Sequence, residues 1–265
     1  MHLMLCPIKG GGNIMRKLFF VASFLIVFMV APMVMADTVT MRRVDGYWTG
    51  SGGEFTVQIN ESGTPDLNWV LPLYDPAAKG KGGYTNSFQS FCVEKNEFIN
   101  MGSTYDFSIS DKALLGGTAT GDPISQGTAW LYHEFQIGKL TGTGYDYNYT
   151  QGAGRSADAG ALQATIWWLE GEASDPGIGN EFRNAVIAQF GTAADAKDDN
   201  HGTYPVAVLN LWAPGHVNDF SKDANGNYIY LKQDQLVCVP EPATMLLLGS
   251  GLIGLAGFAR KKFKK

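Results

Sequence analysis

The chain has 265 residues, with 25 acidic side chains against 20 lysines and arginines and a net charge of −5. All 25 acidic residues fall at or after Asp37, so residues 37–240 carry 24 acidic and 12 basic side chains, a balance near −12. That sign excludes nucleic acid and anionic lipid as partners of the central region, and roughly 200 residues are enough for one core.

At the N-terminus Arg16 and Lys17 precede a thirteen-residue run, Leu18 to Val30, apolar but for Ser23, and then Ala31 to Ala36. A basic stretch, a short apolar run and small residues at Val34 and Ala36 make a secretory signal peptide cut after Ala36 by signal peptidase. Residues 1–36 are therefore expected to be a leader, with 1–14 a start-site extension ahead of Met15. A second membrane helix over 18–30 is disfavoured by its length and by Pro32.

Val39, Met41 and Val44 come before Gly50 to Gly53, and Phe55, Val57 and Ile59 alternate with polar residues after it. This predicts a hairpin over 38–60. Further strands are expected at Phe88–Val93 and Tyr105–Ile109. After Pro123 the period changes to that of helices. Trp130, Leu131 and Phe135 share one face, as do Ala159, Leu162, Ile166 and Leu169, and Phe182, Val186, Ile187 and Phe190. Ser156 or Asp158 would cap the second helix and Gly171 would stop it, while Pro176 would open the third. Strands are expected again at Pro205–Trp212 and Tyr228–Val239, with a turn at Asn225-Gly226. The fold class that follows is α+β, mainly β. It is a β-sandwich or barrel over 37–238 with an inserted three-helix segment, flanked by the signal peptide and a C-terminal transmembrane helix.

Val239-Pro240-Glu241-Pro242 leads into the apolar run Ala243–Ala259, then into Arg260, Lys261, Lys262, Lys264 and Lys265. A run of seventeen residues is at the short limit for a spanning helix, and the basic cluster belongs on the cytoplasmic side of the inner membrane. A Pro240-Glu241-Pro242 box, a helix and a basic tail resemble the PEP-CTERM sorting signal over 239–265. The resemblance implies recognition by an exosortase in a Gram-negative bacterium that makes exopolysaccharide, and delivery to the cell surface or extracellular matrix.

Of three cysteines, Cys6 falls in the leader, leaving Cys92 and Cys238. In an oxidising compartment a disulfide between them is the default. The alternative comes from Phe91-Cys92-Val93-Glu94 on a strand and Gln163 on a helix, with Ile166-Trp167 beyond it. This order resembles the thioester domains of bacterial surface adhesins over about residues 88–172. Their motif reads Thr-Gln-X-Ala-Ile-Trp, and here Leu162 and Thr165 replace the Thr and the Ala. The resemblance implies an internal thioester from Cys92 as thiol and Gln163 as acyl donor, formed with loss of ammonia and opened by a surface amine. Tyr132, Phe135, Trp167 and Trp168 are expected to wall the bond from water, a helix N-terminus to favour the thiolate, and His133 to accept a proton. The bland reading makes Gln163 a surface or strand-pairing amide, in a noncovalent matrix or glycan-binding protein whose tryptophans stack on sugars.

No catalytic constellation is found, so no enzyme is expected. Glu170 and Glu172 face different sides of a helix end and read as a solvated terminus, not a glycosidase pair. The acidic loop Asp195, Asp198, Asp199 and His201, and the Asp223–Asp234 stretch, are read as plain loop and turn. No histidine spacing suits zinc, so neither a metal nor a cofactor is expected. Gly249 to Gly254 has the glycine spacing of a dinucleotide loop but lies in the apolar run with no strand before it.

Overall fold

Apolar residues at every second position make strands that bury one face, and the central sheet is built on that rule. The computed structural model describes residues 38–60, 67–114 and 121–241. The leader and the apolar run 243–259 lie outside the described residues, among which no helix is long and apolar enough to cross a membrane.

In chain order the strands are β1 (Thr38–Arg42), β2 (Trp48–Thr49), β3 (Gly52–Gly53), β4 (Phe55–Asn60), β5 (Ser87–Ser90) and β6 (Thr104–Ser110). The short β7 (Lys112–Ala113), β8 (Asp122–Pro123), β9 (Thr141–Gly142) and β10 (Tyr145–Asp146) follow, and β11 (Val206–Trp212) and β12 (Gln235–Cys238) end the series. Six of them form one antiparallel sheet in the order β12-β11-β6-β1-β4-β5. The sheet curls until the extension of β5 meets β12, where Cys92 pairs with Gln235. Among the described residues this is one curled sheet, not the two stacked sheets of a sandwich.

The expected 38–60 hairpin is present, with β1 on β4 and Val39 opposite Ile59, Met41 opposite Val57. These four side chains are buried. On the other face Thr40 Oγ1 meets Thr104 Oγ1 at 3.0 Å and Arg42 Nε donates to Gln58 Oε1 at 2.6 Å. The Gly50–Gly53 stretch does more than turn the chain. It folds into its own small hairpin, β2–β3, which leaves the sheet.

The helices are α1 (Gln126–Gln136), α2 (Ala153–Leu169), α3 (Glu181–Phe190) and the short α4 (Ala193–Ala196). Ser125 Oγ accepts from Thr128 N and caps α1. Helix α2 begins earlier than either expected cap. Gly152 precedes it with φ +139°, Ser156 is already inside, and Asp158 accepts from Asn148 N outside the helix. The stop at Gly171, φ +79°, is as expected. Helix α3 is capped by Asn180, whose Oδ1 accepts from Arg183 N, and Pro176 belongs to the loop before it.

The last strand is shorter than expected. Asp219 and Asp223 bind the backbone N–H groups of Ser221, Asn225 and Asn227. Such local bonds compete with a ladder, so the Asn225-Gly226 turn forms while regular pairing resumes only at Gln235.

Where α2 meets the sheet, a charge pair is fully buried. Arg155 Nε and Nη2 donate to Glu54 Oε1 and Oε2, the second at 2.8 Å, and both side chains have no exposed surface. Both groups make further hydrogen bonds nearby. Tyr147 OH and Gln89 Nε2 donate to Glu54, and Arg155 donates to Tyr149 O and Ala77 O. Removing one member of such a pair leaves a lone buried charge. Arg155→Ala is therefore expected to cost about 3–5 kcal/mol, measured as a fall in the denaturant midpoint. A loss below about 1 kcal/mol, typical of a surface pair, would contradict this.

Candidate functional site

Cys92 stands where the sheet runs out of strand on one side. The bonds Leu236 N to Phe91 O and Val93 N to Asp234 O, both 3.0 Å, bracket it against Gln235. On its other side β4 ends its pairing at Phe55 opposite Ser90. The chain upstream turns away at Gly53, φ +91°, into β3 and β2. The N–H and C=O of Cys92 would be left without a partner, which costs about 1–3 kcal/mol for each buried group.

Gln163 fills the gap. Its Oε1 accepts from Cys92 N at 3.2 Å and its Nε2 donates to Cys92 O at 2.8 Å. The same Oε1 lies 3.3 Å from Cys92 Sγ. Both residues are buried, Cys92 with no exposed surface and Gln163 at 1%. The two residues singled out from sequence are thus in contact across 71 positions.

The approach depends on glycine at 52. A Cβ there would stand 2.4 Å from Gln163 Cγ and 2.8 Å from Trp167 Cη2, closer than real contacts allow. The β2–β3 hairpin can therefore lie directly on Gln163. Arg43 fixes the hairpin, donating from Nη2 to Ser51 O at 2.7 Å and stacking on the Trp48 and Phe55 rings at 4.4 and 4.9 Å.

Of the expected wall, Trp167 is at the pair, under Gly52 and beneath Lys95, whose Nζ lies 5.8 Å from its ring centre. Tyr132 and Phe135 pack on Phe91, behind the strand. Trp168 is not part of the wall. It is a helical step of 100° from Trp167 and faces Arg183 and Lys197. His133 is not at the pair either; its ring meets Glu134 and Tyr204.

Burial pushes the Cys92 thiol well above its ordinary range, and Trp167 and Arg43 offset only part of that. The indole N–H of Trp167 has no partner of hydrogen-bond geometry among the described residues. The expected help from a helix N-terminus is absent, because Gln163 lies in the middle of Ala153–Leu169. At neutral pH the sulfur is a thiol, not a thiolate.

The expected disulfide is also absent. Cys92 and Cys238 are both unbonded. Strand β12 does run beside Cys92, but the register sets Gln235 there and pairs Cys238 with Val206.

Beside the site lies an unexpected acidic group. Glu94 and Asp234 are buried, with Glu94 Oε2 3.4 Å from Asp234 N. Burial, then mutual repulsion with Asp234, Glu97 and Glu172, raises Glu94 far above the carboxylate range; burial also raises Asp234. Gln235, at the centre of this region, is fully buried with neither side-chain oxygen nor nitrogen paired among the described residues. Glu94 belongs to the Phe91-Cys92-Val93-Glu94 motif, but its burial against Asp234 and the place of Gln235 opposite Cys92 depend on the β12 register.

Glu170 accepts from Ser125 and Glu172 from Lys95 N, so the two glutamates serve separate structural bonds. No group of three or more His, Cys, Asp or Glu among the described residues is arranged to hold a metal.

Residues 239–261 match the PEP-CTERM protein-sorting motif. The motif implies an exported surface protein, membrane-anchored before it is processed by an exosortase. No curated protein and no solved structure matches the chain. The likeness of residues 88–172 to thioester domains therefore rests on those residues alone.

Two outcomes follow from this geometry. Gly52→Ala forces a methyl into Gln163 and Trp167 and is expected to cost about 1–3 kcal/mol, measured by chemical denaturation; a neutral effect would contradict the close approach. Groups whose carboxyl pKa is raised on folding stabilise the protein below the unfolded value and lose that contribution as pH rises. The melting temperature should therefore fall from about pH 5 to about pH 9, and Glu94→Gln should flatten the fall. An unchanged slope in that variant would contradict the assignment.

Proposed function

We propose that this exported protein captures amines covalently through an internal thioester between Cys92 and Gln163. The observation that carries the reading is the 3.3 Å contact between Cys92 Sγ and Gln163 Oε1, in a pair sealed from solvent. Thiol attack on a carboxamide is unfavourable in water, and holding the groups in contact offsets much of that barrier.

The backbone contributes directly. As sulfur attacks Gln163 Cδ, negative charge develops on Oε1, which already accepts from Cys92 N. The thiol proton passes to Nε2, the C–N bond breaks and ammonia leaves. The C–S bond that forms keeps the acyl group on Gln163. Since the buried sulfur starts protonated, no external base is required for this balance.

Opening follows the reverse logic. An amine nitrogen attacks the thioester carbonyl, the C–S bond breaks, and the sulfur takes the proton that the nitrogen loses. One isopeptide bond and one free thiol result. The act happens once per molecule and is attachment, not turnover. A sorting signal that delivers the protein outside the cell suits such a single-use bond. Its partners beyond the exosortase are then surface amines, in or near the exopolysaccharide matrix.

One observation favours a noncovalent matrix protein instead. The two hydrogen bonds between the Gln163 amide and the Cys92 backbone satisfy both groups with no covalent bond. Sugar stacking would fall to Trp48 and Trp69, which keep exposed surface, since Trp130, Trp167, Trp168 and Trp212 are buried.

The exported protein, recovered without reductant, should weigh one ammonia less than its sequence. Methylamine should add at Gln163 and free Cys92 for alkylation, and Cys92→Ala should show neither effect. Full mass with no methylamine uptake would rule the thioester out.

A further inference from the structure

Next to the pair, at the end of the curled sheet, lies a cavity of about 210 Å³. Phe55, Phe98, Ile99 and Met101 give it an apolar side, and Arg43, Lys95, Glu97 and Gln233 give it a polar one. It adjoins the site on two sides. Ser51, on its rim, is the neighbour of Gly52, which lies against Gln163. Gln233, on its lining, is two residues before Gln235, where β12 begins.

Gln235 is the more deeply buried of the two, with no exposed surface. The bonds that bracket Cys92 and Gln235 make them a non-hydrogen-bonded antiparallel pair. In such pairs the opposed side chains lie on one face and approach most closely. A fully buried amide with both its oxygen and its nitrogen unpaired therefore stands beside the Cys92 sulfur. Buried amides are nearly always paired, and an exception asks for an explanation.

We propose that this cavity is the entry port for the incoming nucleophile, that its occupant is a primary amine on an unbranched aliphatic arm, and that Gln235 orients the amine nitrogen. The inference rests on the Cys92–Gln163 thioester reading and adds a route and a specificity residue to it. The side formed by Phe55, Phe98, Ile99 and Met101 accepts the methylenes of the arm, opposite the polar side chains of the lining. Gln235 Oε1 accepts one N–H of the neutral amine, leaving its lone pair free to attack Gln163 Cδ. As the C–N bond forms the C–S bond breaks, and the proton lost from nitrogen goes to Cys92 sulfur. Methylamine is small enough to need no arm-binding walls, so the port and the orienting amide are separable by choice of probe.

The test uses the exported protein with methylamine and n-pentylamine as probes, following uptake by mass. Gln235→Met keeps the chain length and removes the amide. It should retain the ammonia loss while uptake of both amines slows by about tenfold or more. Met101→Trp alters a partly exposed wall residue and narrows the port. Pentylamine uptake should fall by about tenfold while methylamine uptake stays within about twofold. Wild-type pentylamine rates in Met101→Trp overturn the port. Wild-type rates in Gln235→Met, with the ammonia loss intact, overturn the role of Gln235. A wild-type protein that keeps its ammonia overturns the thioester reading instead, and the port with it.

Discussion

Glu54 and Arg155 hold three parts of the molecule at one point. Glu54 adjoins the β2–β3 hairpin, Arg155 lies in the first turn of α2, and Gln89, three residues before Cys92, donates to the same carboxylate. Gln163 is eight residues beyond Arg155 on that helix, about 12 Å along its axis at 1.5 Å per residue. The ion pair thus sets the height of α2 against the sheet, and with it the position of the Gln163 amide beside Cys92. A buried pair of this kind is poor evidence for added stability, since its desolvation offsets most of its attraction. Its value here is geometric. Helix α2 is fixed in one register where a purely apolar face would permit sliding.

That registration matters because the site is a repair of a missing strand. Strand β4 departs at Gly53, and the backbone of Cys92 needs a donor and an acceptor on that side. A glutamine amide supplies both at once. The bonds that complete the sheet also bring a carboxamide to a thiol, and the Cys92 N–H that closes the gap is the donor an oxyanion would use. Pairing and chemistry are served by the same three atoms, so the bland and the reactive readings of Gln163 describe one geometry and part only at the covalent step.

Much of this was legible in the sequence. Alternating residues placed β1, β4 and β6, helical periodicity placed the helices, and short motifs singled out Cys92 and Gln163. Trp167 was legible as their neighbour because it lies one helical turn from Gln163. What was not legible depended on register. The β12 register puts Gln235 opposite Cys92 and moves Cys238 away, and no local pattern fixes a shift of three residues between strands more than a hundred residues apart. Helix caps were misread where glycine or asparagine took the place of a nearer-looking serine, aspartate or proline. Arg155 was a missed signal. It shares the apolar face of Ala159, Leu162 and Ile166, and an arginine in such a stripe announces a buried partner.

In the proposed account, the sorting motif carries the protein out of the cell before a bond between the buried pair is used. A high-resolution crystal structure of the exported protein tests that account most directly. It predicts continuous density from Cys92 Sγ to Gln163 Cδ, with Nε2 gone and Oε1 still on the Cys92 N–H. A separate sulfur and an intact amide, with Nε2 resting on Cys92 O, would contradict it.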